Sequence, residues 1–355
     1  MSRRSLIVLI AILTIVVGAC GPAASSAAPS ASTSSVEPSA SGDGTAEPSA
    51  EPVALTVGLG FIPSVQFAQF YLADQQGYYE EAGLDVTFQN KIDPDLVTLV
   101  GQGAIDLGLA DGTSVIPAVS NAIPIKYIAT IYGRFPSVVF AKASSGIANA
   151  ADLKGRKLGI PGRFGSSWIM LQALLKSANL TPDDLQIVEY PDFGQGAAVT
   201  QGAVDAATGF ANNEPVQLRL TGEEVNILRV DEVTPLPGNG LIVGLDALDA
   251  KGDAIAAFVA ATLRAMDDIT KDPERGLEAA LTEVPELAAS RDTQAAILDA
   301  TIEVWRGPIQ EARGLGAIEP SDWEKSVAFM TELGLVPNPV TVEDLVDTGF
   351  LPQTG

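Results

Sequence analysis

Short apolar runs alternate with segments of helical spacing along the first part of the chain. The runs predict strands, and the segments in which apolar residues recur every three or four positions predict helices. In chain order we predict strand 53–60, helix 65–76, strand 84–88, helix 95–102, strand 105–110, helix 115–121 and strand 125–131. Strands that alternate with helices of this length are typical of βαβ units and predict an α/β fold with a mostly parallel sheet.

The same alternation starts again after a short interval. The second set of predicted elements is helix 152–155, strand 157–160, helix 168–179, strand 185–189, helix 196–201, strand 203–207, strand 225–230 and strand 241–244. The last of these strands is predicted to return to the first sheet. From Asp253 onward almost all of the chain has helical spacing.

These patterns predict two α/β lobes between which the chain crosses twice. The first lobe is expected to comprise 53–141 and 238–340, the second 142–237, and the segment 341–355 is expected to be a tail. Two lobes joined in this way are expected to hinge, and the cleft between them is the expected site of a small molecule.

The first residues have the pattern of an export signal. Arg3 and Arg4 precede a stretch from residue 6 to residue 18 that is apolar except for Thr14, and this stretch is shorter than the roughly 20 residues of a membrane-spanning helix. Cys20, the one cysteine of the chain, follows Gly18 and Ala19. This arrangement resembles the lipobox of bacterial lipoproteins. We predict a signal peptide at 1–19 and a lipidated Cys20; the alternative is an ordinary signal with a cysteine there by chance.

The segment that follows Cys20 lacks the composition of a folded domain. Up to residue 52 it consists almost entirely of Ala, Ser, Gly, Pro and Thr. Such a segment cannot bury enough apolar surface to fold, so residues 20–52 are expected to form a disordered tether. A lipid, a tether and a folded body together predict a protein held at the extracytoplasmic face of the cell membrane.

Charge and composition exclude several classes of function. The net charge is −23, which is incompatible with the basic footprint of a nucleic-acid-binding protein. The chain has no histidine, which removes histidine-based triads and zinc sites, and its single cysteine is assigned to lipid. An enzyme with this composition would have to use carboxylates, Lys, Tyr or Ser. We therefore expect no enzymatic activity, no cofactor and no metal.

Three motifs resemble those of a known family. They are Gly77-Tyr-Tyr-Glu-Glu-Ala-Gly-Leu-Asp-Val86, Gly101-Gln-Gly-Ala-Ile-Asp-Leu-Gly108 and Asp152-Leu-Lys-Gly-Arg-Lys-Leu-Gly159. As a set they are similar to the solute-binding proteins of ABC importers in the thiamine-pyrimidine-synthase-like (NMT1/THI5-like) family. The resemblance implies the type II periplasmic-binding-protein fold, with a hinge and an interlobe ligand cleft, and it implies an ABC permease and its ATPase as partners.

Three further segments resemble the branch of this family that binds aromatic heterocycles. They are Phe61-Ile-Pro-Ser-Val-Gln-Phe67, Phe210-Ala-Asn-Asn-Glu-Pro-Val216 and Asn239-Gly-Leu-Ile242. The resemblance implies riboflavin as the ligand, with a formylaminopyrimidine-type thiamine precursor or a small sulfonate as alternatives. The cysteine-rich iron site of the fungal synthase is absent from this sequence, so the resemblance does not extend to synthase activity.

Candidate ligand-binding residues lie in the loops that follow the predicted strands. Aromatic side chains there can stack on a planar ring. Carboxamides of the Asn-Asn-Glu segment can pair with an imide edge, although the same segment can simply cap a helix. Amides around Ser166 can bind an anion or a carbonyl, or merely begin a helix. The candidates are Ser64, Gln66, Phe67, Asp111, Thr113, Tyr132, Phe164, Ser166, Trp168, Phe193, Asn212, Asn213, Glu214 and Asn239.

The sequence thus predicts a monomeric, lipid-anchored protein that captures a small aromatic heterocycle and delivers it to a permease. Two other classes remain open. The chain can be a lipoprotein enzyme that relies on carboxylates alone, or a scaffold or adhesion lipoprotein. The missing histidine and the alternating strand–helix order argue against both.

Replacing Cys20 by serine tests the predicted anchor. A diacyl group supplies two chains, and two chains give stable membrane residence where one is marginal. Cys20→Ser is expected to appear in the soluble fraction or to remain unprocessed, as measured by fractionation and mass spectrometry of the N-terminus. A correctly cleaved Cys20→Ser protein that still sediments with the membrane would contradict the lipobox interpretation.

Overall fold

The computed structural model describes residues 51–352 apart from Pro94 and Glu232, and two five-stranded sheets organise this part of the chain. The strands are β1 Val53–Leu59, β2 Leu84–Asn90, β3 Leu107–Ala110, β4 Ile125–Thr130, β5 Ser137–Lys142, β6 Lys157–Ile160, β7 Gln186–Glu189, β8 Ala206–Phe210, β9 Val225–Arg229 and β10 Gly240–Gly244. The predicted α/β class is confirmed.

Thirteen α-helices connect or cover these strands within the described residues. They are α1 Ala68–Gln75, α2 Tyr78–Glu81, α3 Asp95–Gly101, α4 Gly112–Ser120, α5 Gly165–Ser177, α6 Gln195–Thr200, α7 Glu214–Leu220, α8 Leu245–Lys271, α9 Pro273–Glu283, α10 Arg291–Trp305, α11 Pro308–Arg313, α12 Pro320–Glu332 and α13 Val342–Leu345. Short 3-10 helices lie at Val65–Phe67, Ala143–Ser145, Ala150–Leu153, Pro182–Asp184 and Pro285–Ser290. The predicted helical C-terminal part is thus present as α8 to α13.

The two sheets share one strand arrangement. The first has the order β2-β1-β3-β10-β4, and the second has the order β7-β6-β8-β5-β9. In each sheet the first three strands run parallel, and the fourth runs antiparallel to both of its neighbours. Helices cover the sheets, so the central strands are buried on both faces and consist of continuous apolar runs.

The antiparallel strand of each sheet marks a crossing between the lobes. The chain leaves the first sheet after β4 and enters the second as β5, and it returns after β9 as β10. The first crossing therefore lies at 131–136, earlier than the predicted boundary at 141/142. Strand β5 was not predicted, because its buried run Ser137–Ala141 has no helical segment after it to reveal a βαβ unit.

Helices α8 to α10 cover the first lobe. Phe258 of α8 stacks on Tyr79 with ring centroids 4.9 Å apart and on Phe70 at 6.2 Å, and it is fully buried. Helix α10 packs on the 3-10 turn that begins at Val65 and also on α7 of the second lobe. The C-terminal helices therefore contact both lobes.

The segment predicted as a tail is packed against the first sheet as far as it is described. Leu345 is fully buried, and Val346 forms an isolated β-bridge with Tyr127 of β4. The predicted signal peptide at 1–19, Cys20 and the tether up to Ala50 lie outside the described residues. No helix in the described part of the chain has both the length and the apolar character needed to span a membrane.

Removing the ring of Phe258 is expected to destabilise the first lobe. Phe→Ala substitutions in a packed core cost about 3–5 kcal/mol, because the lost burial is joined by an unfilled cavity. Urea denaturation of Phe258→Ala should show a loss of this size. Leu220→Ala is the control, since Leu220 is 54% exposed on α7. Equal stabilities of the two variants would contradict the stacked core.

Candidate functional site

A cleft opens between the two sheets and is lined by both lobes. Strands β1 to β4 end at one edge of the first sheet, strands β6 to β8 end at the facing edge of the second, and the connecting loops meet there. The cleft contains about 860 Å³ of empty space, including the part that is open to solvent. Ten of the predicted residues line it: Gln66, Phe67, Asp111, Tyr132, Phe164, Ser166, Phe193, Asn213, Glu214 and Asn239.

Aromatic rings from opposite lobes meet across the cleft. Phe61 of the first lobe and Phe193 of the second are in edge-to-face contact, with their ring centroids 5.2 Å apart. Phe193 has a φ of 59°, a left-handed conformation that costs a bulky residue about 1–3 kcal/mol. Phe164 remains 43% exposed, whereas Phe67 and Tyr132 are buried. The site therefore offers both covered and solvent-facing apolar surfaces to a planar ligand.

A carboxylate and a carboxamide form one polar group in the second lobe. Glu214 Oε2 accepts from the Phe210 amide at 2.9 Å, and its Oε1 accepts from Gln195 Nε2 at 3.2 Å. Burial raises the pKa of Glu214 above its usual value. Because a carboxylate only accepts, the Gln195 nitrogen faces it, and Gln195 Oε1 is left buried without a partner. Gln195 lies in the loop after the predicted strand 185–189, but it is not among the predicted site residues.

Two carboxyl groups form a second polar group in the first lobe. Asp111 Oδ1 accepts from Asn239 Nδ2 at 2.7 Å, and its Oδ2 accepts from the Ser166 amide at 3.1 Å. Asp93 lines the same part of the cleft and accepts from the Ser114 hydroxyl at 2.6 Å. Burial, reinforced by the neighbouring charge of Asp111, raises the pKa of Asp93 well above its usual value. Burial also raises the pKa of Asp111.

Asp93 was missed by the sequence analysis. It follows β2, whose carboxyl end lies at the cleft edge, so the rule that selected the other loops applies to it as well. The predicted helix begins at Asp95, so only a short connection remains between it and the strand. The order of strands and loops in the sequence was therefore sufficient to predict Asp93 as a cleft residue.

The N-terminus of α5 differs from the prediction. The helix begins at Gly165, with φ 61°, so Ser166 lies in its first turn and does not precede it. The Ser166 amide is bound by Asp111, and the Ser166 hydroxyl accepts from Ser137 at 2.8 Å. The predicted anion position is thus occupied by a carboxylate of the chain itself.

Asn212 does not line the cleft. Its side chain is fully buried, and Nδ2 donates to Gln66 Oε1 and to Thr301 Oγ1, each at 2.9 Å. These bonds join the loop after β8 to the first lobe and to α10. The position of Asn212 makes it a link between the lobes, in contrast to its neighbours Asn213 and Glu214.

Three other predicted residues also lie away from the cleft lining. Ser64 caps the 3-10 turn and accepts from the backbone and side-chain nitrogens of Gln66. Thr113 is fully buried in the first turn of α4. Trp168 packs at the margin of the core, with the Arg163 guanidinium 5.2 Å from its ring centroid. Each of them supports a cleft element without facing the cleft.

Acidic groups dominate the electrostatics of the cleft. Asp93, Asp111 and Glu214 line it, and none of the lining residues is basic. No cluster of potential metal-binding side chains occurs among residues 51–352 as described. The arrangement suits a ligand that is flat and uncharged, or that donates hydrogen bonds.

Two facing sheets and a cleft between them define a two-lobe periplasmic-binding-protein fold. The same fold occurs in the periplasmic aliphatic sulphonate-binding protein SsuA from Escherichia coli, with a TM-score of 0.66, 21% identity and coverage of 83% of this chain and 97% of that one. The chain belongs to the NMT1/THI5-like family, whose sequence pattern matches residues 64–276. The family resemblance inferred from the motifs is confirmed.

Relatives within the family are named for different ligands or activities. Riboflavin-binding protein RibY of Chloroflexus aurantiacus is 33% identical over 302 residues, which cover 84% of this chain and 86% of RibY. The formylaminopyrimidine-binding protein of Halalkalibacterium halodurans is 25% identical, with coverage of 81% and 88%. The 4-amino-5-hydroxymethyl-2-methylpyrimidine phosphate synthase of Aspergillus parasiticus is 29% identical, with coverage of 59% and 65%.

Asp93→Asn is expected to stabilise the protein at neutral pH and to have little effect near pH 4. The pKa of Asp93 is raised in the folded protein, so the folded state retains a proton that the unfolded state releases above about pH 3.9. Stability is therefore lost as the pH rises from about 3.9 towards the raised pKa of Asp93 in the folded protein, and an uncharged asparagine avoids this loss. Urea midpoints at pH 4 and pH 7 measure the difference.

The matched control for this prediction is Asp183→Asn, which removes the same charge from an exposed position. It should show no comparable gain at pH 7. An Asp93→Asn effect that is identical at the two pH values would contradict a raised pKa at Asp93.

Proposed function

We propose that this protein is the extracytoplasmic solute-binding component of an ABC importer, and that it captures riboflavin and delivers it to the permease. The observation that carries the proposal is the interlobe cleft, in which aromatic rings lie beside a buried and unpartnered carboxamide oxygen and no basic residue is present. The 33% identity to riboflavin-binding protein RibY supports the choice of ligand.

The second-lobe polar group suits the imide edge of a flavin. An imide presents one N–H between two carbonyl oxygens. Gln195 Oε1 is an available acceptor for the N–H, and the Asn213 carboxamide lies in the same lining. A buried acceptor without a partner costs about 1–3 kcal/mol, so a ligand that supplies the donor gains that amount. Stacking on the cleft rings adds about 0.5–1.5 kcal/mol per ring.

A formylaminopyrimidine-type ligand is the alternative that a specific observation favours. Glu214 can accept from a ring N–H or an exocyclic amine, and one relative is named as a formylaminopyrimidine-binding protein. A pyrimidine is smaller than a flavin and would fill less of the cleft. A sulfonate is disfavoured, because its negative charge would face three carboxyl groups and no cation.

Binding without chemical conversion is part of the proposal. The chain has no histidine, and two relatives that it matches over most of their length, RibY and the formylaminopyrimidine-binding protein, are named as binding proteins. Relatives named as synthases match as well, one at 29% identity over 65% of its length and one at 24% identity over 93% of its length, so the missing histidine is the main argument against conversion. The lipid anchor at Cys20, the monomeric state and the permease partner remain expectations from the sequence.

Purified protein is expected to bind riboflavin and to leave it chemically unchanged. Titration calorimetry should show saturable binding, and the fluorescence of the flavin should fall as its ring stacks on Tyr132 or on the phenylalanines. Gln195→Ala is expected to weaken binding by about 1–3 kcal/mol, since the imide N–H loses its acceptor. Gln102→Ala, at an exposed position, serves as the control.

Formylaminopyrimidine, thiamine and taurine should be titrated in parallel, and the flavin should be recovered for chromatography. Micromolar binding of a pyrimidine or a sulfonate, with no heat from riboflavin, would replace the proposed ligand but keep the binding-protein class. Conversion of any of these compounds would refute the binding-protein class itself.

A further inference from the structure

The carboxyl pair Asp93–Asp111 forms a separate polar region of the cleft. The proposed recognition of the ring by Gln195 and Glu214 leaves this pair unused. Asp93 lines the cleft and is only 7% exposed. Its Oδ2 accepts from Ser114, but its Oδ1 is buried and has no hydrogen-bond partner. Buried polar atoms are almost always paired in native proteins, so an unpartnered acceptor on a side chain that lines the cleft indicates a donor that arrives with the ligand.

The two carboxyl groups converge on the beginning of α5. A Cβ at Gly165 would lie 3.4 Å from Asp111 Oδ2 and 3.8 Å from Asp93 Oδ2. Asp111 already binds the Ser166 amide, so the donors that a helix N-terminus ordinarily offers to an anion are partly used by the chain itself. Neither carboxylate has an ion pair with Lys or Arg among the described residues.

The chemistry of the pair selects the kind of group that binds beside it. Each carboxylate oxygen has two lone pairs, which accept hydrogen bonds from hydroxyl or N–H groups. An anionic group in the same place would find no Lys or Arg in the cleft lining to neutralise it, and any charge on the pair would repel it in a largely buried setting, where charges are weakly screened. The pair therefore requires a donor-rich group that carries no negative charge.

We propose that Asp93 and Asp111 bind the hydroxyl-bearing chain of the ligand and exclude ligands that carry an anionic group at that position. This inference rests on the proposed flavin function, in which the ribityl chain supplies the hydroxyls. The ring is then held by the second lobe and the chain by the first, so the complete ligand contacts both lobes.

Three flavins separate recognition of the chain from recognition of the ring. Riboflavin has the ribityl chain, lumiflavin has a methyl group in its place, and riboflavin 5′-phosphate adds an anion to the chain. The unmodified protein should bind riboflavin at least tenfold more tightly than either of the other two. Asp93→Ala, which removes both carboxyl oxygens, should weaken riboflavin binding at least tenfold and change lumiflavin binding less than twofold, whereas Asp183→Ala, at an exposed position, should change neither.

Each outcome of these titrations bears on the inference. Equal losses for riboflavin and lumiflavin in Asp93→Ala, or undiminished riboflavin binding in Asp93→Ala and Asp111→Ala, would overturn it while leaving the flavin function intact. Tight binding of the phosphate by the unmodified protein would overturn the exclusion of anions. The comparison of riboflavin with lumiflavin in the unmodified protein needs no variant to fold. Failure of the unmodified protein to bind any flavin would overturn the proposed function together with the inference.

Discussion

The spacing of the two lobes depends on a buried carboxamide that belongs to one lobe and bonds to the other. Asn212 donates to Gln66 and Thr301, and all three side chains are buried. A buried amide that loses its acceptors costs about 1–3 kcal/mol, so the lobes resist separation at this point. Gln66 also lines the cleft. The link therefore sits directly beside the space that a ligand would occupy.

Around this link the cleft combines apolar walls with buried carboxyl groups that have no Lys or Arg beside them in the lining. The acids are spread over both lobes, with Asp93 and Asp111 in the first and Glu214 in the second. Burial raises the pKa of each of them, which is the expected response of carboxyl groups that lack cationic partners. The fold is shared with a sulphonate-binding protein, but the residues in this cleft favour hydrogen-bond donors. The fold and the choice of ligand are thus separate properties.

Sequence reasoning located most of the cleft for one physical reason. Parallel strands end at a common edge, so the loops after them are neighbours whatever their separation in sequence. This rule placed Asp111, Phe193 and Glu214 correctly in the lining. It did not distinguish Asn212 from Asn213, because adjacent residues at a helix start point in different directions. Trp168 was misplaced for a related reason: α5 begins three residues earlier than predicted.

Periodicity and motifs are local properties of the chain, so they were enough to predict the α/β class, the alternation of strands and helices and the family. The signal-like first residues and the absence of histidine are likewise visible without a structure. The return of β10 to the first sheet agrees with the prediction, but three features emerge only from the folded chain: β5 belongs to the second sheet, Asn212 bonds across the lobes, and Asp93 approaches Asp111. These are contacts between segments far apart in sequence, and their burial and pairing depend on how the whole chain packs.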